Sequence, residues 1–440
     1  MTKGHVLLLF LIIASAGNLY AQQTKQLSIN DAIQLSLANS KQLKLSKAKT
    51  NEAVAASREA IEDKLPDVGV SGSYLRVTKP NIKIKTASSG GDSSAISPVN
   101  VTQAAYGMAN VSLNLFSGLK VKYAIESARY LEEAAKLDET NNRQGVILNT
   151  IAAYINLYKA IAGEKIVQEN LESSRKRDSD FANFERNGLL ARNDLLKAQI
   201  QTSNLELSLV DAQNNIRLST VNMNLMLGLP ENTTLSLDTA LADTTREIQS
   251  VEDFEKIALQ NRSDAKALEM RQKASSAGIK IAKGDYYPGI ALTGGYLAAY
   301  IPKFLTITNA LNIGIGFRYS LSSLWKTNSK VEQAKAREQQ LLANEAMLDD
   351  EIRLSINRAY YDYLTARKKI EVYTKSLEQA SENYRISQNK YNNNLLTLTD
   401  LLDADVSQLQ AKLNIEFAKA DVLLAYETLL QKAGILNDRL

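Results

Sequence analysis

The chain has no cysteine and only one histidine, His5. Without thiols there can be no disulfide, no thiol nucleophile and no thiolate metal site. His5 falls inside a leader-like start, so the remainder has no imidazole to act as a base or to ligate a metal. Charge of one sign is also lacking. A net charge of +4, spread evenly over 440 residues, leaves no electrostatic footprint for nucleic acid. No Gly-rich phosphate loop or Ser-x-x-Lys pairing stands in a suitable context. The expectation is a protein that is not an enzyme, with no cofactor and no metal, built as two or three domains on length alone.

Long hydrophobic runs are missing as well. Residues 1–21 read as a secretory signal peptide, with Lys3 as the charged start, Val6 to Ala14 as the apolar core and cleavage after Ala21; Ala14-Ser15-Ala16 is an alternative site. Read instead as an anchor, this run is too short to span a bilayer, and no other segment is expected to do so as a helix.

What is present is a repeat. Asn187-Gly188-Leu189-Leu190-Ala191-Arg192-Asn193-Asp194-Leu195-Leu196-Lys197-Ala198 returns 206 residues later as Asn393-Asn394-Leu395-Leu396-Thr397-Leu398-Thr399-Asp400-Leu401-Leu402-Asp403-Ala404. Each copy joins a turn signal, Gly188 or Asn394, to a helix start, and so reads as the bend of a helical hairpin. The same offset pairs Leu115 with Leu321, Lys120 with Lys326, Tyr154 with Tyr360 and Gly228 with Gly434. Upstream the offset is 222, pairing Asp31 with Asp253, Asn39 with Asn261, Pro66 with Pro288 and Tyr74 with Tyr296. The chain is therefore a tandem duplication, with one insertion in the first copy between Tyr74 and Leu115. The parts are a first repeat over 22–228, a connector over 229–249 and a second repeat over 250–440.

Each repeat opens with a capping-box pattern, Ser28 to Asp31 and Ser250 to Asp253, and its first helix runs to Pro66 or Pro288. Period 3.6 then gives way to period 2. Strands are predicted at Val68–Thr78, Ala105–Phe116, Gly289–Ile301 and Ala310–Leu321. In the last, Ile313, Ile315 and Phe317 alternate with Gly314, Gly316 and Arg318. Two readings fit: half-buried strands of a soluble sandwich, or membrane strands with lipid on the aliphatic face and water on the Gly, Ser, Asn and Arg face. The length, about 10 residues, suits a tilted membrane strand. Four strands cannot close a barrel, and open edges are not tolerated in lipid, so several chains would have to pool them. Dimer, trimer and tetramer are all open at this point.

After each strand pair comes a long helix, Leu119 to about Arg186 and about Lys326 to Tyr391, on the order of 100 Å at 1.5 Å per residue. The returning helices run from Leu190 to Leu227 and from Leu395 to Ala433, with Leu205, Leu209, Ile216 and Met223 at packing spacings. The basic run from Ser173 to Asp178 reads as a solvated face. Tyr154, Tyr158, Tyr360, Tyr361 and Tyr363 read as packing residues rather than a ligand stack. The connector is expected to lie outside the helical bundle, with short strands allowed. Lys79 to Ala104 is expected as an extracellular loop, and Pro302 to Asn309 as its short counterpart.

The duplicated plan, and above all the bend around Gly188, resembles the TolC-like outer-membrane efflux family over nearly all of the mature chain. The resemblance implies an α+β membrane protein in the bacterial outer membrane with a long periplasmic extension. In it, three protomers give four strands each to one twelve-stranded β-barrel, above an α-barrel of long antiparallel helices closed at its tip. An inner-membrane pump and a periplasmic adaptor would dock there, making the chain the passive export duct of a tripartite efflux or type I secretion system. Carried over by position, the gate residues are Asp194 and Tyr391, and the aperture is lined by Asp400 and Asp403. The docking tips would be Gly188, Leu189, Leu190, Asn394, Leu395 and Leu396. The second bend departs from the family pattern, with Asn393-Asn394 for Val-Gly and Leu396 where an Arg would join the gate. For Asp400, helix capping is an equal alternative to lining the aperture. A reading from another class is a periplasmic adaptor or structural coiled-coil protein, though an adaptor needs only one hairpin.

Overall fold

The computed structural model of the chain describes residues 25–78, 101–238, 247–302 and 304–436. The expected signal peptide lies outside them, as do most of the expected extracellular loop and residues 239–246 of the connector. In chain order the elements are β1 (Lys25–Leu27), α1 (Ile29–Asn39), α2 (Lys41–Glu62), β2 (Asp67–Arg76), β3 (Gln103–Ser117), α3 (Lys120–Arg186) and α4 (Arg192–Leu227). They continue as β4 (Leu235–Leu237), α5 (Val251–Asn261), α6 (Ser263–Gly284), β5 (Gly289–Ile301), β6 (Leu305–Arg318), α7 (Ser323–Asn392) and α8 (Leu398–Lys432).

Two compact units form, and each takes residues from both copies of the repeat. One comprises Lys49–Lys136 and Ala267–Ala346 and holds an antiparallel sheet in the order β2-β3-β5-β6. Its register places Ser112, Thr293 and Gly314 side by side on one face, next to Asn114, Ala291 and Gly316. The other face carries Val111 with Ile313, and Leu113, Leu292 and Ile315. The aliphatic side is uncovered in the single chain: Ile313 is 80% exposed and Phe317 70%. β6 begins at Leu305, so the expected Pro302–Asn309 loop is mostly strand. Asn309 takes φ 59° within it, at a register shift, and its backbone N–H donates to the Tyr296 hydroxyl at 3.3 Å. That irregularity hid the strand's first half from a period-2 reading.

The other unit comprises the described residues up to Ala48, Leu137–Lys266 and Met347 onward. Two of its cores are related by the duplication. Ala32, Ala153, Met223 and Leu227 sit in one, and Phe254, Ala359, Leu429 and Ala433, at the offsets read from sequence, sit in the other. The capping pattern forms at both starts: the Ser28 hydroxyl accepts from Asp31 N–H at 3.1 Å, and Ser250 from Asp253 N–H at 3.2 Å.

Neither opening helix runs unbroken to its proline. The first breaks at Ser40 (ψ 120°), the second at Arg262 (ψ 124°). The physical cause is tertiary. Asn39 turns its amide to the end of α4, donating to Leu227 O at 2.7 Å, and the Ser40 hydroxyl caps α2 by accepting from Leu43 N–H at 3.2 Å. At the second break the Arg262 guanidinium holds Asp264 at 2.6 Å and donates to the Ser355 hydroxyl at 3.2 Å. Burial pushes the Asp264 carboxyl up, and Arg262 outweighs it to leave the group below its usual range.

The described start of the connector does not lie outside the bundle. β4 pairs in parallel with β1, Leu235 is buried among α1, α3 and α4, and the Tyr154 hydroxyl donates to Leu27 O at 3.1 Å and to Asp238 O at 3.0 Å. Burial and the nearby Asp238 carboxylate push the Tyr154 hydroxyl up to about 12. Tyr154 and Tyr363 are buried as packing residues, whereas Tyr361 is 58% exposed. One helix, α3, is in fact apolar and long enough to cross a bilayer by length and composition, and 44% of its most apolar window is buried. Its Ile147, Ile151 and Ile155 are spent on packing against α1 and α8.

Candidate functional site

The two bends are built alike. At the end of α3, Leu189 N–H donates to Phe184 O at 2.8 Å and Gly188 N–H to Glu185 O at 2.9 Å. At the end of α7, Leu395 N–H donates to Lys390 O at 2.8 Å and Asn394 N–H to Tyr391 O at 2.9 Å. Both are Schellman closures, with Gly188 at φ 71° and Asn394 at φ 56° supplying the left-handed residue. Asn is the side chain best tolerated there after glycine, so the departure from glycine in the second bend leaves the geometry unchanged.

The returning helices start at Arg192 and Leu398, later than expected, which leaves Leu189, Leu190, Leu395 and Leu396 in the bends themselves. Leu189 is 76% exposed and Leu395 75%. Leu190 and Leu396 are half-buried, and Leu190 packs on the core below. That core holds both bends together: Phe181 from α3, Leu195 and Ala198 from α4, Leu398 and Leu401 from α8, with Tyr384 and Tyr391 of α7 against them. Phe181 and Tyr391 meet with ring centroids 5.7 Å apart.

Asp194 and Tyr391, expected as gate residues, are brought near each other. Burial raises the Tyr391 hydroxyl above its ordinary range, and the Asp194 carboxylate adds to it. Asp194 also pairs with Lys197 at 3.3 Å. Asp400 is engaged in its own helix start. The Thr397 hydroxyl donates to its carboxylate at 2.6 Å and accepts from its backbone N–H at 3.3 Å. Asp403 follows three residues on, exposed on the same helix face.

Behind the bends lies a polar cluster that the sequence reading missed. Arg177 of α3 pairs with Asp405 of α8 at 2.6 Å, with side-chain exposures of 12% and 8%. Ser174 and Thr202 share a hydrogen bond of 2.8 Å, and Arg177 also donates to Ser174 at 3.3 Å. Burial, then the Asp405 charge, push the Tyr384 hydroxyl up. The basic run is thus a solvated face at Ser173, Arg175 and Lys176 but not at Ser174 and Arg177. A signal was present: Asp405 follows Leu398 and Leu401 at i+7 and i+4, a carboxylate on a buried stripe that requires a cation.

Among the described residues the sheet has two open edges and an uncovered aliphatic face, surfaces that suit a subunit of a membrane channel. A family model described as outer membrane efflux protein (OEP) matches residues 32–229 and again residues 256–434, and the chain belongs to that family. A search of curated protein sequences finds no match. Among solved structures, the outer-membrane channel OprN is 20% identical over 92% of this chain and 89% of that one, with a TM-score of 0.76. CusC, solved in a study of folding and transmembrane channel formation, is 17% identical over 92% of both chains, with a TM-score of 0.79. VceC from Vibrio cholerae is 19% identical over 92% of this chain and 96% of that one, with a TM-score of 0.77. These likenesses establish the fold. The protein is an outer-membrane export duct of the efflux type, not an enzyme. Channels of this family are trimeric outer-membrane components of tripartite pumps. The adaptor alternative falls with the double match.

Proposed function

We propose that three copies of this chain close one barrel in outer-membrane lipid and one helical duct, with the first repeat taken as 22–228, the connector as 229–249 and the second repeat as 250–440. The two bends form the entrance at which a periplasmic adaptor and an inner-membrane pump engage. Gly188, Leu189, Leu190, Asn394, Leu395 and Leu396 make the docking tips; Asp194 and Tyr391 hold the gate; Asp400 and Asp403 line the aperture. One observation carries the docking reading: two matched leucines, Leu189 and Leu395, stand exposed on bends that share one core. An apolar side chain held in water by a rigid turn is poised for burial against a partner.

Leu189→Asp combined with Leu395→Asp is expected to lower export at least tenfold in cells, while the detergent-extracted oligomer keeps its size. Unimpaired export in that double variant places docking elsewhere. Asp400→Ala with Asp403→Ala is expected to lower cation selectivity in planar bilayers, and unchanged selectivity in an assembled channel removes both residues from the aperture.

A further inference from the structure

Where the sheet meets the helices, the small polar face is not neutral. A concavity of about 800 Å³ opens there, lined by Ser112, Asn114 and Thr293 together with Lys120, Arg318, Lys326 and Lys330. Among the described lining residues Asp285 is the one carboxylate. It is shared, accepting from Lys120 at 2.8 Å and from Lys330 at 2.6 Å. Those two lysines hold the carboxyl below its usual range. Arg318 and Lys326 are exposed, and no carboxylate among the lining residues remains for them. Four cations against one shared carboxylate leave an uncompensated positive charge in a recess.

The placement follows from the fold. Arg318 ends β6 on the face of Gly314 and Gly316, the face of Ser112, Thr293 and Asn114 rather than that of Ile313 and Ile315. Lys326 and Lys120 are repeat mates on the first turns of α7 and α3, so the duplication itself supplies two of the cations. The Ser320, Ser322 and Ser323 hydroxyls border the same recess and add neutral hydrogen-bonding groups. A guanidinium fork and an ammonium without acid partners, beside hydroxyls, form the donor set that carboxylates and phosphates use.

We propose that this recess is a binding station for anionic solutes on the water-filled wall of the duct, with Arg318 and Lys326 as the recognising groups and Asp285 fixing Lys120 and Lys330 beside them. The inference rests on the shared-barrel reading, because only a closed barrel turns this face to water. Three copies would repeat the station around one lumen and raise the local concentration of anions there.

The test uses the full-length protein in planar bilayers with pyrophosphate as the probe. Pyrophosphate is expected to block the wild-type current in a concentration-dependent way, and the block is expected to weaken about tenfold in Arg318→Ser/Lys326→Gln, as loss of two close charges implies. Lys326→Gln alone, at an exposed helix position, should weaken it by a smaller factor, which guards against misfolding of the double variant. Equal block in wild type and variants of intact oligomeric size overturns the station while leaving the shared barrel standing. A wild-type protein that yields no oligomer overturns both. A conductance that responds to phosphatidylglycerol in the bilayer and not to pyrophosphate assigns the cations to lipid and overturns the solute reading.

Discussion

Arg177 and Asp405 form a buried ion pair in the helical unit. Removing two charges from water costs several kcal/mol per ion, and the close 2.6 Å contact with help from Ser174 offsets that cost. The pair ties α3 of the first copy to α8 of the second, about three turns behind Gly188. Arg177→Met leaves Asp405 buried without a cation, and a loss of about 3 kcal/mol in unfolding free energy is expected. Arg177→Met/Asp405→Leu should recover most of it, since apolar groups of similar size carry no desolvation penalty. Guanidinium titrations of the wild type and the two variants decide the matter. Arg177→Met within about 0.5 kcal/mol of wild type would show that the pair is solvated.

At the scale of elements, four helix ends close with a left-handed residue, yet they are not equivalent. Gly188 has open space around the position of a Cβ, whereas a Cβ on Gly228 would lie 2.7 Å from the Asn39 Cβ. Gly228 therefore does two things: it turns the chain at φ 69° and it lets the break between α1 and α2 approach the end of α4. Gly188→Ala should cost only the left-handed backbone penalty, about 1 kcal/mol. Gly228→Ala adds a clash with the Asn39 side chain, whose Cβ cannot rotate away, and its melting temperature should fall at least twice as far. Equal shifts for the two variants would mean that Asn39 yields freely.

For the whole molecule, the surfaces left uncovered are the argument for assembly. Among the described residues the sheet ends in two unpaired edge strands, β2 and β6, which lipid cannot solvate. On α4 the buried Leu205 and Met223 face inward, while Ile200, Leu207, Val210, Leu218 and Leu225, each more than half exposed, make a second apolar stripe. Met347, Leu354 and Tyr361 of α7 repeat at seven-residue spacing and are exposed as well. Bare apolar faces of this kind mark surfaces that an assembly covers. Extraction in mild detergent is expected to give a trimer by light scattering, with far more helix than strand in circular dichroism. Leu207→Glu with Leu218→Glu should reduce the yield of that trimer. A stable monomer in membranes would end the shared-barrel reading.

Much of this was legible from residues alone, because the signals are local or periodic. Ser28 and Asp31 satisfy each other within one turn, Ile313 and Ile315 alternate over a few residues, and the offsets of 206 and 222 carry the duplication without any knowledge of contacts. The core partners Ala153 and Ala359, or Leu227 and Ala433, follow those offsets into equivalent packing. Other features needed the folded chain. The break at Ser40 depends on Leu227, 188 residues away in its contact with Asn39, and the Arg177 pair spans 228 residues. β1 has three residues and no pattern of its own; it is a strand because β4 and Tyr154 supply its partners. Local rules set what each segment prefers. Which buried groups meet, and hence where a helix breaks or a charge is tolerated, is decided by desolvation in the packed interior, where leaving a polar atom without a partner is costly.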